Sequence, residues 1–273
     1  MVECINRDDE QIRFIQITDP HLFKEKTGEL LGINTYNSFR QVVNEIQQSE
    51  TDYQFVLATG DLVQDSSEEG YLNFCHIIHP LGKPVYWIPG NHDFQPVMRK
   101  VFAQQSYIYA DKHLLLGDKW QVLLLDSQVY GVPHGELSQY QLDWLDEKLQ
   151  EYQEYYSLIV LHHHLLSTNS VWLDQHNLRN AHELLHILQK YENVRGILHG
   201  HIHQQVDAQW NGYQLMCTPA TGVQFKPDNN VFTLDTLQPA WREISLMPDG
   251  TIETQVHRIQ QAKFLPNMHE LGY

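Results

Sequence analysis

Cysteine is scarce in this sequence. Only Cys4, Cys75 and Cys217 occur, they lie far apart, and no Cys-x-x-Cys motif is present. Disulfide-stapled domains and thiolate zinc sites both need cysteines in larger or more closely spaced sets. The sequence therefore argues against both classes and favours reduced thiols, either buried or at the surface.

Long apolar runs are also absent. No run approaches the roughly 20 apolar residues that a membrane-spanning helix needs. Residues 1–10 are acidic and lack the basic and apolar regions of a signal peptide. We therefore expect a protein that acts in the cytoplasm and has no membrane partner.

Positive charge is in short supply. The chain has 18 lysines and arginines against 34 aspartates and glutamates, which gives a formal net charge of −16. A field of this sign repels the phosphate backbone of long nucleic acids, so no nucleic-acid partner is expected. A small anionic substrate is still compatible with this charge, because bound cations dominate the potential at their own site.

The remaining composition suits one globular domain. The chain has 273 residues, 42% of them hydrophobic, and it shows no repeat, low-complexity tract or Gly/Ser linker. We predict a single domain over residues 1–273, with a core at about 12–258 and a surface tail at about 259–273. No pattern in the sequence indicates an oligomeric state.

The first half of the chain alternates predicted strands with predicted helices. Such alternation is typical of βαβ units around a largely buried parallel sheet. The predicted strands are 13–18, 55–59 and 85–88, and the predicted helices are 35–48, 67–78 and 96–103.

The second half is richer in turns. Asn-Gly at 211–212 and Asp-Gly at 249–250, each between apolar runs, indicate hairpins. Ser138, with Gln141 three residues on, indicates a capping box that opens a helix. The other predicted elements are strands at 114–116, 120–125, 158–161 and 194–198 and a helix at 182–190. These patterns predict two packed sheets with helices outside them.

Five apolar runs share one feature, which is that each ends in aspartate, asparagine or histidine. Open α/β sheets bind ligands at the carboxyl ends of their strands, so we expect these five segments to converge on one site. The segments are Asp19-Pro20-His21, Gly60-Asp61, Gly90-Asn91-His92-Asp93, His162-His163-His164 and His199-Gly200-His201-Ile202-His203.

Each of these motifs taken alone is weak evidence, because an aspartate or histidine at a strand end is more often a turn former or a satisfied polar group. The combination offers seven candidate ligands, which is more than one catalytic ion with open positions uses. Mixed nitrogen and oxygen donors without thiolate suit iron, manganese or zinc, whereas magnesium prefers oxygen. The pattern therefore predicts two ions about 3.5–4 Å apart that share a bridging carboxylate.

The ordered motif from Asp19 to His203 resembles that of the calcineurin-like metallophosphoesterase superfamily. Wider stretches resemble one branch of it, the bacterial class III 3′,5′-cyclic AMP phosphodiesterases, and the likeness covers nearly the whole chain. These stretches are 16–23, 90–96, 125–137 and 172–176. The resemblance implies an α/β fold in which two mixed β-sheets flanked by helices form a four-layer αββα sandwich.

The resemblance also implies two divalent metal ions, with Asp61 bridging them. The implied ligands of the first metal are Asp19, His21, Asp61 and His203, and those of the second are Asp61, Asn91, His162 and His201. Iron(II) and manganese(II) are the expected ions (Fe2+ or Mn2+), and Zn2+ is compatible with the same donors. The triple histidine leaves the register open between His162 and His163, and we choose His162 because it comes first after the strand.

The implied reaction is hydrolysis of 3′,5′-cyclic AMP to 5′-AMP. The alkoxide that leaves phosphorus needs a proton, and His92, which is not expected to be a ligand, is the candidate general acid. The expected substrate-contacting residues are His21, Asp61, Asn91, His92 and His203. The alternatives are another phosphodiester or phosphomonoester substrate and a non-catalytic scaffold, although the intact ligand set counts against a scaffold.

Other residues near these motifs have two interpretations. Asp93 is expected to orient the loop that carries Asn91. Trp172, Asp174 and His176 either line the pocket or belong to a packed surface loop. Residues 224–227 either approach the site or lie away from it.

Overall fold

The structure is a computed structural model that describes residues 3–5, 11–260, 263–270 and 272. Residues 1, 2 and 6–10 of the acidic N-terminal stretch lie outside the described residues, and so do residues 261, 262, 271 and 273 of the predicted tail.

Two large mixed sheets dominate the described part of the chain. Its strands are β1 Glu3–Ile5, β2 Ile12–Ile17, β3 Glu29–Leu30, β4 Ile33–Asn34, β5 Phe55–Thr59, β6 Val85–Ile88, β7 Ile108–Tyr109, β8 His113–Leu116, β9 Trp120–Leu124, β10 Tyr156–Val160, β11 Val194–His199, β12 Val206–Trp210, β13 Tyr213–Cys217, β14 Gln224–Phe225, β15 Leu234–Asp235, β16 Ala240–Leu246 and β17 Ile252–Arg258. One sheet has seven strands in the order β1-β8-β9-β10-β11-β13-β12, and the other has six in the order β17-β16-β2-β5-β6-β7. The pairs β3-β4 and β14-β15 form two small separate ribbons.

Helices cover the outer face of each large sheet. They are α1 Thr35–Gln48, α2 Glu68–Ile78, α3 Gln95–Phe102, α4 Gln139–Glu151, α5 Val171–Asp174 and α6 Ala181–Leu188, with one 3-10 turn at His79–Leu81. Side chains of α1, α2 and α3 pack on the six-stranded sheet, and side chains of α4 and α6 pack on the seven-stranded sheet. The four layers therefore follow the order helix, sheet, sheet, helix, which confirms the expected αββα sandwich.

Strand β5 shows why its sequence is apolar at every position. Val56 and Ala58 face the helices, whereas Phe55 and Leu57 face the second sheet. Side chains alternate between the two faces of a strand, so a strand buried on both faces needs apolar residues throughout. The same argument accounts for the fully buried strand β6.

The sheet topology brings the candidate ligands to one edge of the sandwich. Strands β2, β5 and β6 are parallel neighbours in one sheet, and β10 and β11 are parallel neighbours in the other. The Asp19 N–H donates to the Gly60 carbonyl at 3.1 Å, which joins two strand ends within one sheet. The His201 N–H donates to Asp19 Oδ2 at 3.0 Å, which joins the two sheets.

Half of the predicted capping box forms at the start of α4. Ser138 Oγ accepts a hydrogen bond from the Gln141 N–H at 3.3 Å, so Ser138 caps the helix. The Gln141 side chain does something else, since its Oε1 accepts from the Asp126 N–H at 3.0 Å. The second half of the motif therefore holds the segment after β9 instead of closing the cap.

The thiols and the lengths of the helices bear on two further expectations. Cys75 and Cys217 are buried free thiols, and burial raises the pKa of Cys75 to about 12, so it stays protonated at neutral pH. Within the described ranges, no helix has the length and apolar character needed to cross a bilayer.

Candidate metal centre

The turn after β2 places Asp19 and His21 at the centre of the edge. Asp19 Oδ2 accepts from Thr18 Oγ1 at 2.6 Å and from the His201 N–H, whereas Asp19 Oδ1 has no hydrogen-bond partner among the described residues. That free oxygen lies 3.5 Å from His203 Nε2 and 4.0 Å from His21 Nε2. Asp19 is thus fixed through one oxygen and offers the other to the site.

Three of the candidate histidines share one orientation. In each, Nδ1 lies against an oxygen acceptor: Gln64 Oε1 at 2.6 Å for His21, the Thr59 carbonyl at 2.8 Å for His162 and the Val223 carbonyl at 2.9 Å for His203. An acceptor at Nδ1 keeps the proton there and leaves the Nε2 lone pair for another partner. All three Nε2 atoms point to the carboxylates, which is the arrangement of imidazoles that bind metal.

Asp61 lies between the other groups. Its Oδ2 is 3.2 Å from His162 Nε2 and 3.9 Å from His21 Nε2, and its Oδ1 accepts from the His92 N–H at 2.8 Å. Residues attributed to both metals therefore flank this one carboxylate. Such a position is required of a bridging ligand.

The loop after β6 carries the next three residues. Asn91 Oδ1 is buried and has no hydrogen-bond partner among the described residues, so it is a free oxygen donor at the site. His92 is half-buried, and its ring centroid lies 5.0 Å from that of His21. Asp93 turns away from the site and accepts from the N–H groups of Leu62 and Gly90. Asp93 therefore ties the turn that carries Asp61 to the loop that carries Asn91, in agreement with the expected orienting role.

The triple histidine is fully buried, but its members have different surroundings. His162 is the one beside Asp61, whereas His163 Nδ1 lies 2.8 Å from Ser127 Oγ. The His164 ring stacks on His201 with centroids 5.6 Å apart. The donor atoms of His162, His163 and His201 still lie within 4.8 Å of one another. The geometry therefore favours His162 over His163 as the histidine next to the Asp61 carboxylate.

The two histidines after β11 complete the set. His201 Nδ1 lies 3.2 Å from His162 Nε2, and His203 Nε2 lies 3.1 Å from His21 Nε2. The structure thus brings together six of the seven residues that the sequence analysis named, and the seventh, Asn91, directly precedes His92, whose backbone N–H donates to Asp61. Donor atoms of Asp19, His21 and His203 lie within 4.8 Å of one another, and so do those of Asp19, Asp61 and His162.

Backbone strain concentrates at these residues. Eleven described non-glycine residues have positive φ, and five of them are candidate ligands. The five are Asp19 at 52°, His21 at 46°, Asp61 at 50°, His201 at 73° and His203 at 52°. Left-handed conformations are costly for residues with a Cβ and tend to cluster at functional sites, where the surrounding structure enforces them.

Glycine is required where the strand ends approach each other. Gly60 has φ 99°, and a Cβ there would lie 2.5 Å from His162 Nδ1. A Cβ at Gly90 would overlap the Asp61 carboxylate. Both glycines therefore allow backbone to pass directly behind candidate ligands.

The electrostatics of the site call for cations. Burial raises the pKa of Asp61, but the adjacent His162 and His92 outweigh it and hold the value well below the usual range. Burial lowers the pKa of His162, but the Asp61 and Asp19 carboxylates outweigh it and raise the value to about 9. Burial lowers the pKa of His21 to about 3, so this imidazole is neutral. At neutral pH without a metal, His162 therefore carries a proton that faces Asp61, and a bound divalent ion would take the place of that proton, because metal ligands must be deprotonated. Ionised buried carboxylates beside imidazoles fit such ions.

Several positioning groups have no signature in the sequence. The carbonyls of Thr59 and Val223 fix two imidazoles, but every residue has a carbonyl. Gln64 and Ser127 also contact candidate ligands, yet both are common polar residues on turns. Only their place in the fold reveals these roles.

The residues with two open interpretations lie beside the centre. Trp172 and Asp174 belong to the short helix α5, and the His176 ring centroid lies 6.3 Å from that of His201. Phe225 stacks on His203 with ring centroids 4.4 Å apart and planes 12° apart. Segment 224–227 therefore does reach the site.

Comparison with known proteins gives a family and close relatives. The model of the calcineurin-like phosphoesterase family matches residues 12–205. A Haemophilus influenzae protein named 3′,5′-cyclic adenosine monophosphate phosphodiesterase CpdA is 64% identical over 96% of this chain and 95% of that protein. The protein of the same name from Escherichia coli K12 is 48% identical over 96% of this chain and 95% of its own. A 3′,5′-cyclic-nucleotide phosphodiesterase from Nostoc is 35% identical, covering 91% and 92%.

Solved structures agree on the fold. A dimetal phosphatase from Danio rerio superposes with a TM-score of 0.65 at 16% identity, covering 92% of this chain and 99% of that one. A purple acid phosphatase from yellow lupin also gives 0.65, at 14% identity over 95% of this chain and 53% of that one. At such identities the likeness concerns the fold alone.

Proposed function

This chain belongs to the calcineurin-like phosphoesterase family, and from that premise we propose that it hydrolyses 3′,5′-cyclic AMP to 5′-AMP at a dinuclear metal site and so lowers cellular cyclic AMP. The observation that carries the proposal is the half-buried His92 beside a buried centre of two carboxylates and four imidazoles. The choice of cyclic AMP is supported by relatives of that printed name along almost the full chain.

Seven residues are proposed as ligands, and Asp61 is shared. Asp19, His21, Asp61 and His203 would hold one ion, and Asp61, Asn91, His162 and His201 the other. Iron(II) or manganese(II) suits this imidazole-rich set, and zinc is compatible with it. When bound, two such cations neutralise the phosphoryl oxygens and favour ionisation of the attacking water.

The chain's own residues supply position and a proton. Burial of the carboxylates, and acceptors at Nδ1 of three histidines, hold the ligands in one orientation. Asp61 accepts from the backbone N–H of His92, so the backbone that carries the His92 ring is anchored beside the centre. His92 is proposed to donate its proton to the ribose O3′ as the P–O3′ bond breaks. His21, Asp61, Asn91, His92 and His203 are the residues proposed to contact the substrate.

We also propose that the enzyme acts in the cytoplasm and that residues 1–273 form one domain.

The reaction is tested with manganese-loaded protein and 3′,5′-cyclic AMP. We expect 5′-AMP as the sole nucleotide product, identified by chromatography against 3′-AMP. If cyclic AMP is not hydrolysed but another phosphodiester or a phosphomonoester is hydrolysed rapidly, the proposed substrate is wrong and that ester takes its place. No hydrolysis of any phosphoester by protein with both metals bound would indicate a scaffold.

The ligand assignment is tested by Asp61→Ala with metal analysis. We expect a lower content of both ions, because the carboxylate is shared. Asp143→Ala, which changes an exposed carboxylate on α4, is the matched control and should keep both. One ion bound to Asp61→Ala at wild-type affinity would contradict the bridging role.

A further inference from the structure

An aromatic wall, formed by Trp172, Phe225 and Phe232, adjoins the metal centre. The centroid of the Trp172 ring lies 5.0 Å from that of Phe225 and 5.1 Å from that of Phe232. Phe225 in turn stacks on His203, a proposed ligand, at 4.4 Å. The wall is therefore continuous with the centre through direct ring contact.

The wall differs from core packing in its exposure. Phe225 is 1% exposed, as expected of a core residue, whereas Trp172 and Phe232 are only half-buried. Their neighbours Val171 and Val231 are 58% and 71% exposed. Apolar surface of this kind beside a proposed catalytic centre is an expected feature of a ligand-binding wall.

Hydrogen bonds hold the two loops of the wall together. Asn169 Nδ2 donates to Asp228 Oδ1 at 3.1 Å, and the Asn229 N–H donates to Ser170 Oγ at 3.3 Å. Loop 167–172 is thus joined to loop 228–232. Because these bonds fix the loops, the aromatic side chains are ordered before any ligand arrives, which reduces the entropic cost of binding.

Asp174 anchors the other end of α5. Its carboxylate accepts from Ser167 Oγ at 2.6 Å and from the Thr168 N–H at 2.7 Å. It also lies 3.8 Å from Nε2 of His164, whose ring stacks on His201. The short helix that carries Trp172 is therefore tied to the segment that carries the ligands.

A polar side chain, that of His176, lies next to Trp172. The His176 ring lies 6.4 Å from the Trp172 ring and 6.3 Å from the His201 ring. In addition, the buried indole N–H of Trp172 has no hydrogen-bond partner among the described residues. A partly exposed aromatic surface beside a polar side chain suits a nitrogen heterocycle, which offers both a ring face and hydrogen-bond acceptors.

We propose that Trp172, Phe232 and His176 form the subsite for the purine base of the nucleotide, so that the aromatic wall holds the base while the phosphate lies at the metal centre. This inference rests on the proposed function and deepens it, since it assigns base recognition to the loop 167–176 and to Phe232. The charged centre and the apolar wall then bind the two chemically different ends of one nucleotide.

The test compares two anions that differ only in the base. Calorimetry on the manganese-loaded protein measures the affinity for 5′-AMP and for ribose 5-phosphate. In the wild type we expect 5′-AMP to bind about 10-fold more tightly, within the range that base–aromatic stacking provides. In Trp172→Ala that ratio should fall to about one, and Trp172→Phe should restore most of it.

Controls separate loss of the base subsite from loss of structure. Tyr140→Ala removes an exposed aromatic ring that is not part of the wall and should keep the wild-type ratio. If Trp172→Ala does not fold, Phe232→Ala gives the same comparison on the same wall. A wild-type ratio near one, or an unchanged ratio in a folded wall variant, overturns the inference.

Cyclic AMP hydrolysis is measured separately on the wild type. If the wild type hydrolyses cyclic AMP but the affinity ratio is unchanged in Trp172→Ala, the proposed function stands and the base subsite is wrong. If the affinity ratio falls to about one in Trp172→Ala but the wild type does not hydrolyse cyclic AMP, the base subsite stands and the proposed reaction is wrong.

Discussion

At the scale of single residues, His92 is set apart from the four proposed histidine ligands by its partial exposure. A general acid contributes about 10²–10⁴-fold to turnover, so His92→Ala should lose that much on cyclic AMP while keeping both metals. The loss should be smaller for bis-p-nitrophenyl phosphate, whose leaving group departs without a proton. Steady-state rates on both substrates, with metal content measured in each preparation, check this. An equal loss on both substrates would mean that His92 positions the phosphoryl group, and loss of metal would mean that it is a ligand.

Lys112 makes the free energy of unfolding depend on pH. Its ammonium lies 3.8 Å from the centroid of the Trp87 ring and donates to the Trp87 carbonyl. Burial, followed by the nearby Arg99, lowers the pKa of Lys112 to about 7. The unfolded chain has the ordinary value of about 10.4, so the folded state binds the proton less well than the unfolded state.

The resulting penalty is complete below pH 7 and disappears as pH rises toward about 10.4. Lys112→Met should therefore gain stability over the wild type at pH 6 to 7, and the gain should shrink by up to about 1.4 kcal/mol per pH unit above that. Urea unfolding at several pH values measures the difference. Lys119→Met, at an exposed position, is the control and should show no such trend. A gain that stays constant from pH 6 to pH 10 would contradict the depressed pKa.

At the scale of elements, Asp93 joins the ends of β5 and β6. Its carboxylate accepts from the N–H groups of Leu62, Val63 and Gly90 and from the Tyr71 hydroxyl. Asp93→Ala would leave these buried donors without a partner, and we expect a loss of about 3–5 kcal/mol in the free energy of unfolding.

The second metal should also bind more weakly to Asp93→Ala, because the loop with Asn91 loses its anchor. Asp93→Asn keeps the shape and one acceptor oxygen, so its loss should be smaller. Urea unfolding and metal analysis measure both effects. A loss of less than about 1 kcal/mol for Asp93→Ala would show that other contacts hold the two loops.

The same scale shows what could be predicted from the sequence. The long elements were predicted to within two residues at most ends, because their apolar stripes or runs leave a period that burial explains, as in α1 and β5. The two-residue strands β3, β4, β7, β14 and β15 and the short helix α5 were not predicted, since two to four residues hold no period. The predicted capping box was only half right, because the backbone N–H of Asp126 binds the Gln141 side chain instead.

The candidate site was more predictable than the loops around it. Its seven residues follow strands, and strand ends of parallel sheets must meet. The left-handed backbone of five of them was not predicted, because aspartate and histidine do not signal positive φ as glycine does. The sequence also could not decide whether Trp172 and segment 224–227 lie at the site. Trp172 and Phe225 are far apart in sequence, and only the packing of two loops joins them.

At the scale of the whole molecule, the metals should contribute to stability as well as to activity. Anything that binds only the folded state stabilises it, and here the ligands come from both sheets. Chelation followed by gel filtration should abolish activity and lower the melting temperature. Manganese(II) or iron(II) should restore both better than magnesium, which disfavours imidazole. Equal rescue by magnesium would contradict the ligand set.

The division of the ligands between the sheets also sets an order in time. Asp19, His21, Asp61 and Asn91 follow strands of the six-stranded sheet, whereas His162, His201 and His203 follow strands of the other. A ribosome delivers them in that sequence, so a nascent chain has four donors long before it has the last three. The set with His162 is complete only when residue 201 has emerged, the set with His21 only when residue 203 has emerged, and both need β11 to have paired. At least the first 201 residues must therefore be translated before the chain can hold its first ion with full coordination.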